Sequence, residues 1–349
     1  MRVLVALSGG VDSSVAAAIL REEGHDVVGA TMKLWGGASD SGCCSVADVD
    51  DARRVADRLG IDHHVFNFTE EFDRRVVTPY VHAHAAGWTP NPCIECNRHL
   101  KFGTFLDRGM RLGFDAVATG HHARVDHSGT RPRLLRGADD AKDQSYVLSC
   151  LTERELRTLL LPIGALTKAE VRSLAASLGL QTAAKPDSQD VCFVLGGAGA
   201  SARGRFLSER LELHPAEVID TATHEVVGTV PAVELVTVGQ RRGLGVVGGE
   251  RRFAVRVNVA GRRIEVGSED DLLDTGVRLT ERTWVHEALP PGTVVLAQAT
   301  AHGRPWPASV TEHGLAYGDR RRRVAPGQTV ACYLGDEVVG SGVATGEAA

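Results

Sequence analysis

The chain has 349 residues, a formal net charge of −5 and 43% hydrophobic residues, so two or three ordinary domains are expected. Its apolar runs are too short to span a bilayer or to serve as a secretion signal, so we expect a cytoplasmic protein without a membrane partner. Seven cysteines, an odd number, argue against a disulfide framework and favour thiol chemistry or a metal. Because the net charge is negative, an RNA partner would have to bind to local basic patches.

Residues 2–14, RVLVALSGGVDSS, combine an apolar run, a glycine turn and the start of a helix that reaches Gly24. The unbroken run at 3–7 is typical of a buried parallel strand. Unpaired N–H groups and the positive end of the helix face the turn, which predicts an anion site. Gly9 and Gly10 let a ligand approach the backbone closely. The Walker pattern GxxxxGK[ST] is absent here, so the loop belongs to another phosphate-binding class.

Strands and helices then alternate along the first third of the chain. The pattern predicts strands at 26–32, 61–68 and 114–120, and helices at 47–60, at 69–87 with a break near Pro79, and at 98–113. This alternation predicts an α/β fold with a doubly wound parallel sheet, in which ligands bind beyond the carboxyl ends of the strands. The opening loop, Met32 and TGHH at 119–122 fall at such ends.

The pattern changes from about residue 133. RPRLLRGAD at 131–139 predicts a hairpin or an excursion of the chain. Two capping boxes, at 152–155 and 167–170, predict helix starts, and KPDSQDVCFV at 185–194 runs into a predicted strand. A flexible loop at 196–204 and a short helix at 205–213 follow.

Beyond about residue 215, short strands bounded by Gly and Pro predict two small antiparallel β-rich modules, divided at EDDLLD (269–274). We therefore expect a catalytic domain at 1–204, a central β-rich domain at 205–272 and a barrel-like domain at 273–349.

Two cysteines stand where thiol chemistry is expected. Cys96 lies in a Pro-rich loop before a predicted helix, whose dipole would lower the pKa of the thiol. Cys192 lies at the mouth of a predicted strand. Cys93 and Cys96 form a CxxC pair, although a zinc site would want a second pair. The simpler interpretation of a lone cysteine is a small buried hydrophobe, which fits Cys150 and Cys332.

Several motifs occur in a fixed order along nearly the whole chain: SGGVDSS, CCS at 43–45, TPNPCIECNRHLKF, ATGHHAR, KDQSYVL, KPDSQDVCF and VGQRRGLG. In this order they resemble the bacterial tRNA-specific 2-thiouridylases, a branch of the ATP pyrophosphatases with an adenine nucleotide alpha hydrolase-like sheet. The resemblance implies transfer of AMP from ATP to the C2 oxygen of the wobble uridine of tRNA, with pyrophosphate released at SGGVDSS. A persulfide sulfur then replaces that oxygen.

The resemblance also implies a role for particular residues. Cys192 matches the persulfide-carrying cysteine, and Cys96 matches the partner thiol that forms a transient disulfide with it. The ATP-binding positions are Ala6, Leu7, Ser8, Gly9, Gly10, Val11, Asp12, Ser13, Met32 and Gly120. The tRNA-contact positions are Asn91, Pro92, Cys93, His121, Lys142, Asp143, Gln144, Arg304 and Gln328. Asp12 either orients Mg²⁺ or caps its helix.

Some alternatives stay open at this point. Cys93, Cys96 and Cys192 also suit a [4Fe–4S] cluster with one iron open to sulfide, in place of a persulfide. The sulfur donor is expected to be a cysteine desulfurase or a sulfur-relay protein. An amidating ligase of the same loop class would need ammonia and no thiol pair, and a non-catalytic RNA-binding protein would tolerate loss of both thiols.

Basic clusters at 241–242 and 320–323 either neutralise RNA phosphates or form solvated loops. His122 departs from the family, which commonly has Tyr there.

Overall fold

The computed structural model describes residues 1–35, 46–187, 191–194, 200–246 and 251–346. The CCS stretch at 43–45 therefore lies outside the described residues. The strands in the described part are β1 (Arg2–Ala6), β2 (Asp26–Lys33), β3 (His63–Asn67), β4 (Ala116–Ala118), β5 (Ala123–Asp126), β6 (Arg133–Arg136), β7 (Leu159–Leu160), β8 (Ala216–Asp220), β9 (Val226–Val230), β10 (Phe253–Asn258), β11 (Arg263–Gly267), β12 (Leu273–Trp284), β13 (Val294–Gln298), β14 (Trp306–Val310), β15 (Gly314–Arg322), β16 (Thr329–Leu334) and β17 (Glu337–Ala344).

The helices fall mostly in the first half of the chain. They are α1 (Val11–Glu22), α2 (Val46–Leu59), α3 (Thr69–Phe72), α4 (Thr78–Ala85), α5 (Pro92–Glu95), α6 (Leu106–Arg111), α7 (Glu153–Leu156), α8 (Lys168–Ser177) and α9 (Ala200–Ser208). Short 3-10 turns lie at Ser145–Leu148, Gln181–Ala184, Val233–Leu235 and Asp270–Leu272. Within the described residues, no helix has the length and apolarity needed to cross a membrane.

The first sheet confirms the predicted parallel, doubly wound architecture. Its strands lie in the order β3–β2–β1–β4–β7, and each neighbouring pair is parallel. Alternate residues of β1 enter two different cores: Leu4 packs against helices on one face, and Val3 and Val5 pack with α1 on the other. Because both faces are covered, β1 needs an unbroken apolar run.

Two helical segments differ from the sequence-based expectation. A π-helical stretch, Asp73–Val77, joins α3 to α4 without the predicted break, and this wider turn accommodates Pro79, which lacks an N–H donor. A second one, Cys96–Phe105, joins α5 to α6. The helix predicted from residue 98 therefore begins at Pro92, where the Asn91 side chain accepts a hydrogen bond from the Cys93 N–H (3.1 Å).

The described part of 185–194 contains no strand, contrary to the prediction: residues 185–187 and 191–194 join no sheet, and 188–190 lie outside the described residues. Residues 191–194 form a turn, since Phe193 packs into an aromatic cluster (Trp35, Phe72, Tyr80 and Phe206) and its backbone joins no sheet. Helix α9 also starts within the loop predicted at 196–204, and it ends before the predicted 213.

The central sheet has the order β10–β11–β8–β9. It is not wholly antiparallel as predicted, because β11 runs parallel to β8. The chain leaves β9, crosses through the turn Val233–Leu235 and returns in β10, which places β11 beside β8 in the same direction.

The last sheet is a closed barrel with an addition from the first domain. Strands β12 to β17 close through pairing of β12 with β17. A hairpin is present, but it begins earlier than the predicted 131–139: β5 precedes that range, and only β6 lies within it. Strand β6 also adds to the barrel sheet alongside β17. The domain boundaries at 204/205 and 272/273 stay predictions; the first falls inside α9, and the second lies at the start of β12.

Arg136 of β6 ties the hairpin to the barrel. Its guanidinium donates to Asp143 (2.9 Å) and Gln298 (2.8 Å) and lies over the Tyr333 ring, 3.8 Å from the centroid. We expect Arg136→Ala to lower the free energy of unfolding by about 2–3 kcal/mol, because it leaves the buried Asp143 carboxylate without its cation. Urea unfolding measures this. The control is Arg133→Ala at a half-exposed ion pair, which should cost much less. Equal losses in the two variants would contradict the role of Arg136 in holding the hairpin to the barrel.

His84 joins α4 to the central domain through a contact between its ring Nδ1 and the Glu234 carbonyl (3.2 Å). Burial, aided by the charge of Arg203, lowers the pKa of His84 to about 4, below its unfolded value of 6.5. The unfolded state therefore binds the proton first as pH falls, and stability is lost below pH 6.5. Between pH 7 and pH 5, the free energy of unfolding should therefore fall by roughly 2 kcal/mol less in His84→Gln than in the wild type. The exposed His82, changed to Gln, should keep the wild-type slope.

Candidate active site

The predicted anion loop lies between β1 and α1, at the carboxyl edge of the parallel sheet. Gly9 has a φ of +71°, and a Cβ there would lie 2.3 Å from the backbone oxygen of Asp48. The Ser8 N–H donates to the Ser13 hydroxyl (3.2 Å), which folds the loop over the helix start. Gly10 is the N-cap and supplies no side-chain cap, so the first turn of α1 keeps N–H groups available for an anion.

Asp12 lies in the first turn of α1 but does not cap it, so the capping interpretation was wrong. Its carboxylate oxygens accept hydrogen bonds from the Lys168 ammonium (both 2.8 Å) and lie near His122 Nε2 (3.2 Å). Burial alone would raise the pKa of Asp12, but the His122 and Lys168 contacts outweigh it and lower that pKa. Asp12 is therefore an ionised group at the mouth of the loop.

Lys168 begins a charge network that sequence reasoning missed. Its ammonium also contacts Asp187 Oδ1 (2.8 Å), and Asp187 in turn binds Lys142 (2.8 Å) and Arg172 (2.8 Å). Although burial opposes it, hydrogen bonds from Lys142 and Lys168 lower the pKa of Asp187 well below its usual range. These linked ion pairs lie at the edge of the anion loop.

Lys185 holds the back of the loop. Its ammonium donates to the Gly9 carbonyl (3.0 Å) and to the carboxylates of Asp48 (2.7 Å) and Asp51 (2.7 Å) on α2. Burial would lower the pKa of Lys185, but these two carboxylates raise it, so the side chain stays charged.

The TGHH stretch packs against the loop after β4. A Cβ on Gly120 would lie 2.5 Å from the carbonyl carbon of Asp12 and from the nitrogen of Ser13, so only glycine fits without movement. His121 is buried beside Thr119 (2.7 Å), and burial lowers its pKa well below the usual value. His122 is buried too and faces Asp12.

Both proposed thiols belong to one large hydrophobic cluster, which extends from the first domain into the barrel. Cys96, in the π-helical stretch, is buried inside that cluster, and the half-buried Cys192 packs against it. Phe193 anchors Cys192, since its ring contacts Tyr80 (centroids 5.3 Å apart) and Phe206 (5.1 Å). Cys93 is exposed on α5. Cys93 lies in α5 and Cys96 in the π-helical stretch that follows, so the loop predicted for them was wrong.

The two remaining described cysteines behave as the sequence predicted. Burial raises the pKa of the Cys150 thiol to about 12 and that of the Cys332 thiol to about 12. Over the described ranges, no group of three or more His, Cys, Asp or Glu side chains is arranged to hold a metal ion. The three thiols suggested as cluster ligands therefore do not form a ready cluster site.

The residues expected to contact tRNA differ in exposure. Gln328 lies where the barrel touches the loop before α5, since its amide donates to the Thr89 carbonyl and the Thr89 N–H donates to the Pro326 carbonyl (2.7 Å). Asn91, two residues after Thr89, is half-buried. Cys93, Gln144 and Arg304 are exposed at the surface, Lys142 is half-buried, and Pro92, His121 and Asp143 are buried. Met32, which was predicted to bind ATP, lies half-buried at the end of β2.

Asp143 faces inward. Its carboxylate accepts hydrogen bonds from Arg136, the Gly137 N–H and the Ser145 hydroxyl, so it shapes this segment from the inside.

The arginine cluster at 320–323 is not the solvated loop that was one of its two interpretations. Most of it lies on β15, and Arg320 donates to the Asp270 carbonyl (3.0 Å) while Arg322 pairs with Glu269 (2.7 Å). Arg323 reaches Asp274 (3.3 Å) and the Val255 carbonyl (3.2 Å). These side chains fasten the 269–274 segment to its neighbours. Arg241 and Arg242 are exposed.

Matches to known proteins cover nearly the whole chain. A family model described as "tRNA methyl transferase HUP domain" matches residues 1–196, and one described as "Aminomethyltransferase beta-barrel domain" matches residues 275–344. The chain is 44% identical over 352 residues to the tRNA-specific 2-thiouridylase MnmA of Chloroflexus aurantiacus, with 97% of each chain covered. It is 42% identical over 368 residues to the protein of that name from Roseiflexus castenholzii, with 98% of each covered.

Proposed function

Because the chain belongs to the family of tRNA-specific 2-thiouridylases, we propose that this tRNA sulfurtransferase converts the wobble uridine to 2-thiouridine through an adenylated base. Uridine is a poor electrophile at C2, and its oxygen is a poor leaving group. The C2 oxygen attacks the α-phosphorus of ATP, the bond to the bridging oxygen breaks, and pyrophosphate departs. The oxygen now carries AMP and becomes a good leaving group.

The anion loop is proposed to receive the phosphates. The turn at Gly9, the N–H groups of the first turn of α1 and the packing of Gly120 against Asp12 support this role. Magnesium is normally bound through one or two carboxylates together with substrate phosphates, and Asp12 provides such a carboxylate. Bound there, the ion would neutralise charge on the departing pyrophosphate.

The two thiols at the shared cluster are proposed to transfer the sulfur. The outer sulfur of a Cys192 persulfide attacks C2 of the base, and AMP leaves with the former C2 oxygen. The Cys96 thiolate then attacks the inner sulfur of Cys192. The S–S bond of the persulfide breaks, sulfur stays on the base, and a Cys96–Cys192 disulfide remains for reduction. That both thiols belong to the same hydrophobic cluster is the observation that carries this proposal.

The partners follow from the same scheme. Proposed tRNA contacts are Asn91, Pro92, Cys93, His121, Lys142, Asp143, Gln144, Arg304 and Gln328, with the buried His121 and Asp143 acting through the segments that they shape. The target base must leave its stack to reach a cleft at the sheet edge. A cysteine desulfurase or a sulfur-relay protein is proposed as the cytoplasmic sulfur donor.

Expression of the chain in a bacterial strain that lacks its own 2-thiouridylase tests this function. Mass spectrometry of nucleosides from purified tRNA should show 2-thiouridine derivatives with the chain and none with the empty vector. Unmodified tRNA from cells that contain folded protein would overturn the proposal.

A further inference from the structure

Cys93 and Cys96 lie in the same helical turn but differ in exposure. Cys93 is exposed on α5, whereas Cys96 is only 8% exposed and belongs to the large hydrophobic cluster. The Cys96 N–H donates to the carbonyls of Cys93 and Pro92, and the Cys93 N–H donates to the Asn91 side chain (3.1 Å). These backbone hydrogen bonds hold the exposed cysteine and the buried cysteine close together.

The spacing of this pair suits a disulfide. Cys96 has right-handed helical backbone angles, and residues three apart in a helix have Cα atoms about 5 Å apart and side chains on one face. A disulfide joins residues whose Cα atoms are about 4.4–6.8 Å apart, so the Cys93–Cys96 bond needs only a small approach of the two side chains. The two sulfurs can therefore meet within one turn of backbone.

The proposed sulfur transfer ends with a Cys96–Cys192 disulfide, which must be reduced before the next cycle. Its Cys96 half would lie inside the hydrophobic cluster, and its Cys192 half belongs to a half-buried residue that packs against the same cluster. The rate of thiol–disulfide exchange depends on access of the attacking thiolate to a sulfur atom. A protein reductant in solution would reach this disulfide poorly, but Cys93 lies one helical turn from Cys96.

Cys150 also lies against α5, but it is not suited to this exchange. Its thiol donates to the Ile94 carbonyl (3.7 Å) and to the Val147 carbonyl (3.9 Å). Burial raises the pKa of Cys150 to about 12, so the thiol keeps its proton at neutral pH. The thiolate is the nucleophile in disulfide exchange, so Cys150 is inert there and can serve as a control for Cys93.

We propose that Cys93 is the resolving thiol of the reaction cycle, which moves the disulfide from Cys192 to the Cys93–Cys96 pair at the surface. The inference rests on the proposed function for the Cys96–Cys192 disulfide. The Cys93 thiolate attacks Sγ of Cys96, the Cys96–Cys192 bond breaks, and Cys192 leaves as a thiolate that can receive a new persulfide. The Cys93–Cys96 disulfide then accepts two electrons and two protons from an external dithiol, which restores both thiols.

Disulfide mapping after a single turnover of the full chain tests this role. The chain is loaded with inorganic polysulfide, desalted, and mixed with ATP, Mg²⁺ and unmodified tRNA without a reductant. After acid quenching and blocking of thiols with N-ethylmaleimide, peptide mass spectrometry counts each disulfide per 2-thiouridine formed. In the wild type, most disulfides should link Cys93 to Cys96. In Cys93→Ser they should link Cys96 to Cys192, and turnover with a protein dithiol should slow at least about tenfold after the first cycle.

Cys150→Ala is the matched control, because this thiol also lies against α5 but is buried. It should give the wild-type distribution of disulfides. A wild-type chain that makes 2-thiouridine and keeps the Cys96–Cys192 disulfide overturns the role of Cys93, even if Cys93→Ser does not fold, and leaves the proposed function intact. A wild-type chain that makes no 2-thiouridine, or makes it without a disulfide at Cys96, would instead overturn the proposed thiol mechanism.

Discussion

Cys192→Ser and Cys96→Ser are each expected to abolish 2-thiouridine in tRNA while leaving the chain folded. A serine hydroxyl cannot carry a persulfide or attack one, so the loss should exceed about a thousandfold for each variant, with no additive effect in the double variant. Nucleoside mass spectrometry of the complemented strain measures the loss, and thermal unfolding reports on folding. ATP analogue binding should persist in both variants, because neither side chain belongs to the anion loop.

Cys332→Ala is the matched control. This thiol is buried in the barrel and its pKa is raised to about 12, so it is protonated and chemically inert at neutral pH. Its removal should lower stability by about 1 kcal/mol and leave the 2-thiouridine content at the wild-type level. Retained thiolation in either Cys96→Ser or Cys192→Ser would refute the thiol mechanism.

The parts of the fold that depend on local sequence were predicted correctly. Glycines 60, 113 and 179 adopt positive φ at the ends of helices, and both capping boxes, at Thr152 and Thr167, are present. Each feature involves residues within one or two turns of each other. The anion loop is local in the same sense, and so its strand, turn and helix could be located from thirteen residues of sequence.

Features that depend on distant partners were missed. Lys168 meets Asp12 from 156 positions away, and β6 joins β17 about 200 positions along the chain. Contacts between such distant residues leave no periodic pattern in the sequence. The wrong strand at Cys192 has the same origin, because VCFV has a strand-like composition but Phe193 finds its partners in helices of the first domain. Only the helix start at Pro92 had a readable signal, the Asn-Pro pair that caps it.

Replacing Gly120, which packs closely against the anion loop, is the second change expected to have a large effect on nucleotide binding. A Cβ at this position would lie 2.5 Å from two backbone atoms of the first turn of α1, in Asp12 and Ser13. Backbone cannot rotate aside as a side chain can. Gly120→Ala should therefore push the TGHH stretch away from the loop, weaken binding of an ATP analogue at least about tenfold and lower the free energy of unfolding by about 2 kcal/mol.

Gly318→Ala separates this effect from a general cost of replacing glycine. Gly318 is exposed on β15, and a Cβ there would have no neighbour within 4 Å. Its stability should change by less than about 0.5 kcal/mol, and its nucleotide affinity should not change. Isothermal titration with the ATP analogue and urea unfolding measure both quantities. Wild-type affinity in Gly120→Ala would mean that the nucleotide does not need the contact between TGHH and α1, and that the loop binds it through β1 and α1 alone.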